Sequence, residues 1–141
     1  MNFENTFTVD APIDEVYATM IDLERVAPCV PGAEVLEKTG DDSYNVAIKV
    51  KVGPMSMTYT GDVEIIEKDE AAHRAVLKVR SKEVGGTGHA NAEVTFQLHD
   101  GGGDIHTNAQ ITGKAASMGE GVVQGVLDAL INDFTGKVSK L

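Results

Sequence analysis

The chain contains no tryptophan, one cysteine and four prolines, and aromatic residues make up 5% of its 141 positions. Each shortage excludes something. With Cys29 alone, neither an internal disulfide nor a cysteine-based zinc cluster can form, which points to a reducing compartment, by default the cytoplasm. Basic residues are also scarce: 12 against 22 acidic ones leave a formal net charge of −10. That charge repels phosphate backbones and anionic lipid surfaces at long range, so nucleic acid is a poor partner. No window holds the roughly 18 to 20 uninterrupted apolar residues that cross a bilayer. The richest, 118–138, is broken by Glu120, Asp128, Asp133 and Lys137. Met1 to Asn5 lacks the basic start and apolar run of a signal peptide, so no cleaved leader is expected. What remains is globular composition, 42% hydrophobic and 24% charged, in a length that suits one domain over 1–141.

Periodicity divides that domain into a β part and a helical end. Phe3, Phe7 and Val9 alternate with polar residues, and Asp10-Ala11-Pro12-Ile13-Asp14-Glu15 then offers a cap, a proline and early acids for a short helix. Pro28-Cys29-Val30-Pro31-Gly32 ends it in a rigid corner. Beyond the corner, period-two alternation places Ile48, Val50 and Val52 on one face, followed by Met55, Met57, Tyr59, Gly61, Val63 and Ile65. Ala75, Leu77 and Val79 repeat the pattern, as do Ala90, Ala92, Val94, Phe96 and Leu98. Asp100-Gly101-Gly102-Gly103-Asp104 reads as a hairpin turn into Ile105, Thr107, Ala109 and Ile111. From Ser117 the period becomes helical for about twenty residues. Val122, Val123, Val126, Leu127, Leu130 and Ile131 fall on one side of that helix, and Gln124, Asp128, Asn132 and Thr135 on the other.

One helix across a curved antiparallel sheet leaves a hollow unless large side chains fill it, and few are available. The inward face carries Gly61, Ala90, Ala92, Thr107 and Ala109, with Met55, Met57 and Met118 as adaptable thioethers. Two readings stand: a ligand tunnel, or an ordinary core in which alanines admit the helix and methionines fill gaps. In the first, the residues expected to touch a ligand are Leu23, Val30, Met55, Met57 and Tyr59; then Ala90, Ala92, Val94, Phe96 and Ala109; and, from the helical end, Met118, Val122, Val126 and Leu130. Gly119, Gly121 and Gly125 weaken the start of the last helix, either as a gate or to permit close backbone packing.

No nucleophile with an attendant base is legible, and no catalytic residue is expected. Cys29, in its apolar corner, reads as a small buried hydrophobe. His89, His99 and His106 fall on the solvent face; a turn centred on the three glycines would bring His99 and His106 together near Asp104, yet surface histidines remain the simpler reading and no metal site is expected. Gly85-Gly86-Thr87-Gly88 leads into a strand, so it lacks the helix that supports a phosphate loop and reads as a turn.

The order of strand, two short helices with a proline corner, six strands and a long helix resembles the α+β helix-grip fold of START-like (SRPBCC) proteins, a curved seven-stranded antiparallel sheet wrapped on a C-terminal helix. Within it, Pro28-Cys29-Val30-Pro31-Gly32-Ala33-Glu34, Val52-Gly53-Pro54-Met55 with Tyr59-Thr60-Gly61, and Gly113-Lys114-Ala115-Ala116-Ser117-Met118-Gly119 resemble the carbon monoxide dehydrogenase G-subunit family. The resemblance implies an accessory protein of a molybdenum-containing carbon monoxide dehydrogenase or related hydroxylase, without a cofactor of its own. It implies binding of a quinone such as menaquinone, or another isoprenoid lipid, and connection with the inner face of the membrane. With no apolar tail after the helix, the membrane contact expected of this chain is transient. A polyketide cyclase- or dehydratase-like enzyme and a ligand-free assembly or recruitment factor remain as alternatives.

Overall fold

The computed structural model describes residues 1–140. Strand β1 (Asn2–Thr8) leads into helices α1 (Ile13–Met20) and α2 (Leu23–Val26) and a 3-10 turn at Ala27–Cys29. Six strands follow: β2 (Ala33–Gly40), β3 (Ser43–Val52), β4 (Met55–Asp69), β5 (Arg74–Glu83), β6 (His89–His99) and β7 (Gly102–Ile111). A turn of helix, α3 (Lys114–Ser117), precedes α4 (Glu120–Val138). All strand pairs are antiparallel, in the order β1-β7-β6-β5-β4-β3-β2, so β1 closes onto β7 and the remaining strands form a meander.

Several local expectations are corrected. Pro12 itself occupies the N-cap of α1 and no side chain caps it, because the fixed proline backbone already sets the entry; a side-chain cap appears instead at α2, where Asp22 accepts from the Arg25 amide at 3.4 Å. The helical end starts as two pieces, since Gly119, at φ 96°, separates α3 from α4. The hairpin turn is Asp100-Gly101, and Gly102 and Gly103 already belong to β7. Glycine suits position 103 because a Cβ there would stand 2.9 Å from both Leu98 and the Phe7 ring.

The corner depends on Gly32. At φ 78°, its backbone carbonyl accepts from the Lys49 amide at 3.0 Å, and a Cβ would collide with the Lys49 carbonyl oxygen. Gly32 thereby fixes the corner to β3. The core is divided into clusters of unequal size. At the end nearest α1, Phe7, Tyr17, Met20, Phe96, Leu98 and Ile105 are buried together, with Cys29 among them as a small hydrophobe. At the opposite end Val52, Met57, Tyr59 and Ala115 form a smaller cluster.

Helix α4 is fastened on one side more firmly than on the other. Asn5, an inward position of β1, donates from Nδ2 to Asp128 Oδ1 at 2.9 Å. Asp128 is therefore half-buried rather than on the solvent side that the helical wheel assigned it; a polar residue in β1 has rotated the wheel to meet it. On the β3 side, Val126 and Leu130 are only half-buried, although both are apolar. Substituting Asn5→Ala removes the tether and leaves a partly buried carboxylate without its donor. A loss of about 1 kcal/mol in urea unfolding is expected, with the fold retained.

Candidate functional site

Between α4 and the sheet lies an apolar cavity of about 190 Å³. It exists because the residues that face the helix across β6 and β7 are small: Ala90 and Ala92 on one strand, Ala109 and Thr107 on the next. Ile48, Val50, Val52 and Tyr59 wall it on the β3–β4 side, and Val123, Val126, Leu127 and Leu130 roof it from α4. A second, open cleft of about 470 Å³ runs between α4 and the end of β3 that β2 leaves unpaired beyond Ile48, bounded by Pro31, Gly32, Lys49 and Lys51 and by Val122, Gly125 and Asp133 of the helix. Val50, Val126 and Leu130 line both spaces. Three aliphatic side chains are thus shared by the interior and a solvent-facing groove.

The sequence expectations divide cleanly by depth. Tyr59, Ala90, Ala92, Ala109, Val126 and Leu130 line the cavity. Met55, Met57 and Met118 do not; they pack with Val52, Tyr59 and Ala115 at the end of the sheet where α3 begins. Phe96 and Val94 pack instead in or against the closed core near α1. Leu23 belongs to a separate cluster with Tyr44 and Ile65, and Val30 lies in the corner without reaching the cavity wall. Val122 is 38% exposed and borders the open cleft. Alternation assigned Met55, Met57, Val94 and Phe96 to the inward face, but a face several residues long has ends, and only its middle borders the cavity. Ile48, Val50, Val52, Val79 and Ile111 lie on the same alternating face, outside the expected contact set; their spacing to the three alanines is the signal that finds them.

Polar groups in the cavity are few. Ser81 Oγ donates to the Ala90 carbonyl at 2.5 Å, and Tyr59 Oη meets only Met57 Sδ, at 3.9 Å. Thr107 is 7% exposed and its hydroxyl has no protein partner among the described residues. Burial, and to a lesser degree the neighbouring Glu83 carboxylate, raises the pKa of the Tyr59 phenol. Asn91 adds a carboxamide to the lining, and no Asp, Glu, His or Lys among the described residues lines this cavity.

The histidines do not assemble. His99 pairs in register with Gly102 and His106 with Thr95, because the turn is centred at residues 100 and 101 rather than on the glycine run. His106 Nδ1 faces Glu4 at 3.3 Å, and His99 meets the Asp100 carbonyl. No group of three potential metal ligands occurs among the described residues. Gly85 to Gly88 form the connection between β5 and β6 and lead into a strand.

The motif segments at the far end of the sheet meet in space. Gly53, at φ 60°, follows β3, and a Cβ there would lie 2.5 Å from the Met118 methyl. The turn before β4 and the segment before α4 are thus in direct contact. The model of the carbon monoxide dehydrogenase G-subunit (CoxG) family matches residues 6–140. The chain belongs to this family. Its helix-grip, START-like architecture recurs in solved structures. A conserved protein from Geobacillus kaustophilus superposes with a TM-score of 0.82 at 22% identity, covering 99% of this chain and 93% of that one. An aromatase/cyclase, ZhuI, from Streptomyces sp. R1128 gives 0.65 at 22% identity over 99% and 94%. A Thermus thermophilus protein gives 0.68 at 15% identity over 98% and 97%. These likenesses concern the fold. No curated protein matches the chain. No helix among the described residues is long and apolar enough to cross a membrane.

The α4 glycines are not explained by close packing. A Cβ at Gly121 or Gly125 would meet nothing within 4 Å. Replacing both by alanine should raise stability by up to about 2 kcal/mol, read as a higher Tm, since helix propensity improves without a steric cost. Tyr59 yields a pH prediction with a defined sign. Its folded pKa lies above the unfolded value of about 10, so its contribution to stability is complete below that pH and is lost as pH rises through the higher folded value. Tyr59→Phe should flatten that alkaline loss, measured by urea unfolding between about pH 9 and 11.

Proposed function

We propose that this CoxG-family domain is a non-catalytic binding protein that carries an apolar ligand between α4 and the sheet, as an accessory to a molybdenum-containing carbon monoxide dehydrogenase or related hydroxylase. The apolar cavity under α4 supports the reading most directly. Because this cavity of about 190 Å³ is partly open, its apolar walls stay uncovered by protein and forgo part of the stabilisation that full burial supplies. An occupant recovers that loss by burying its own apolar area at about 25 cal/mol per Å².

The cavity is smaller than the roughly 300 to 1,000 Å³ of sites that enclose drug-sized ligands. It accepts a ring-sized body, and a longer chain continues past Val50, Val126 and Leu130 into the cleft. A quinone with an isoprenoid tail, such as menaquinone, has this form. Delivery to or from a membrane or the hydroxylase then requires these side chains to move, and the two exposed helix glycines lower the cost of that movement. The site's few neutral hydroxyls favour binding over acid–base chemistry of the cyclase kind.

Native mass spectrometry of freshly purified protein, followed by organic extraction, tests the reading. A near-stoichiometric quinone or isoprenoid lipid is expected. A protein that purifies empty and ignores added quinone contradicts the carrier role and favours an assembly factor. Ala92→Trp supplies an internal control: it should abolish binding while the protein remains folded, because the indole occupies existing space. A severe loss of Tm would mean that the alanine face is tightly packed.

A further inference from the structure

Resting on the carrier reading, we propose that Thr107 is the residue that fixes the direction in which the ligand lies, by hydrogen bonding to an oxygen at the ligand's leading end. Three features place it for that role. It is only 7% exposed, it borders the cavity, and its hydroxyl is without a protein partner among the described residues. The other two hydroxyls differ: Ser81 already donates to Ala90, and Tyr59 touches a thioether. Its oxygen is not sealed off by protein, since Asn5 Oδ1 is the fully buried side-chain atom left unpartnered among the described residues; the Thr107 hydroxyl instead opens onto the cavity, where a bound molecule can meet it.

The register shows where this hydroxyl stands. Tyr59 lies in the rung Ile48–Tyr59–Glu83; the next inward-facing rungs are Gly61–Ser81–Ala90–Ile111 and Val63–Val79–Ala92–Ala109. Thr107 follows in the rung Ile65–Leu77–Val94–Thr107. Three rungs of two residues separate it from Tyr59, roughly 20 Å along the strands. Beyond it, Phe96 pairs with Ile105 and the interior is closed by the core near α1. Thr107 also sits on β7, separated from β3 and its open cleft by β6, β5 and β4. It therefore lies at the end of the cavity nearest the closed core, on the side away from β3.

The oxygen-bearing ring accordingly enters first and the apolar chain trails towards Val50, Val126 and Leu130. A hydroxyl donates to a carbonyl and accepts from another hydroxyl, so Thr107 suits a ring oxygen in either its carbonyl or its hydroxyl form.

Binding of 2,3-dimethyl-1,4-naphthoquinone and of 2,3-dimethylnaphthalene, by equilibrium dialysis against the full chain, tests this directly. Thr107→Val keeps the shape and removes the hydroxyl; it should weaken the quinone by a factor of about 2 to 12 and leave the hydrocarbon unchanged. Thr107→Ser should restore the preference for the quinone. An unchanged ratio of the two affinities in the valine variant, or equal weakening of both, overturns the role of Thr107 while leaving the carrier reading intact. A wild-type protein that binds neither ring overturns both.

Discussion

Helix α4 can approach the sheet only as far as the side chains between them dictate, and across β6 and β7 those side chains are mostly alanines. The helix is nonetheless held off them. Val123 and Leu127 pack against Phe3 and Ala109, while Val126 packs with Ile48, Val50 and Val52 towards the other side of the sheet. The large residues at the edges act as spacers, and the small ones in the middle leave the gap. The cavity, its apolar walls and the half-buried state of the helix face all follow from that distribution of volume.

The same arrangement makes the domain mechanically asymmetric. On the β1 side the helix is tied by Asn5 to Asp128, and β1 itself is locked to β7, with the N-terminal amine donating to the Ala109 carbonyl at 2.9 Å. On the β3 side the strand edge is left free beyond the corner, because Gly32 and Pro31 turn the chain away from it. Among the described residues, Val126 packs there with Ile48, Val50 and Val52. A helix fixed along one edge and weakly packed along the other is suited to opening towards the cleft, where Gly125 faces empty space.

Much of the fold was legible because alternation and helical period are local properties. The strands from Ile48 to Ile111, the corner at Pro28 to Gly32 and the final helix all follow from spacing, as does the inward set containing Tyr59, Ala90, Ala92 and Ala109. Depth was not legible. Phe96 shares the face of Ala92, yet it sits two rungs further down, in the closed core; Met57 shares the face of Tyr59, yet it packs beyond the cavity. Contacts between distant segments were equally hidden. Asp128 reads as a solvent residue until Asn5 is brought opposite it, and His99 and His106 read as neighbours until the turn is placed at Asp100-Gly101.

Small, dry cavities take up xenon because nothing competes for them, so diffraction from xenon-pressurised crystals interrogates the void itself without any assumption about the natural ligand. A single well-occupied xenon site bounded by Ala92, Ala109 and Leu127, with α4 undisplaced, is the expected result. Empty density there, with α4 closed down onto the alanine face, would contradict the existence of the cavity and with it the carrier reading.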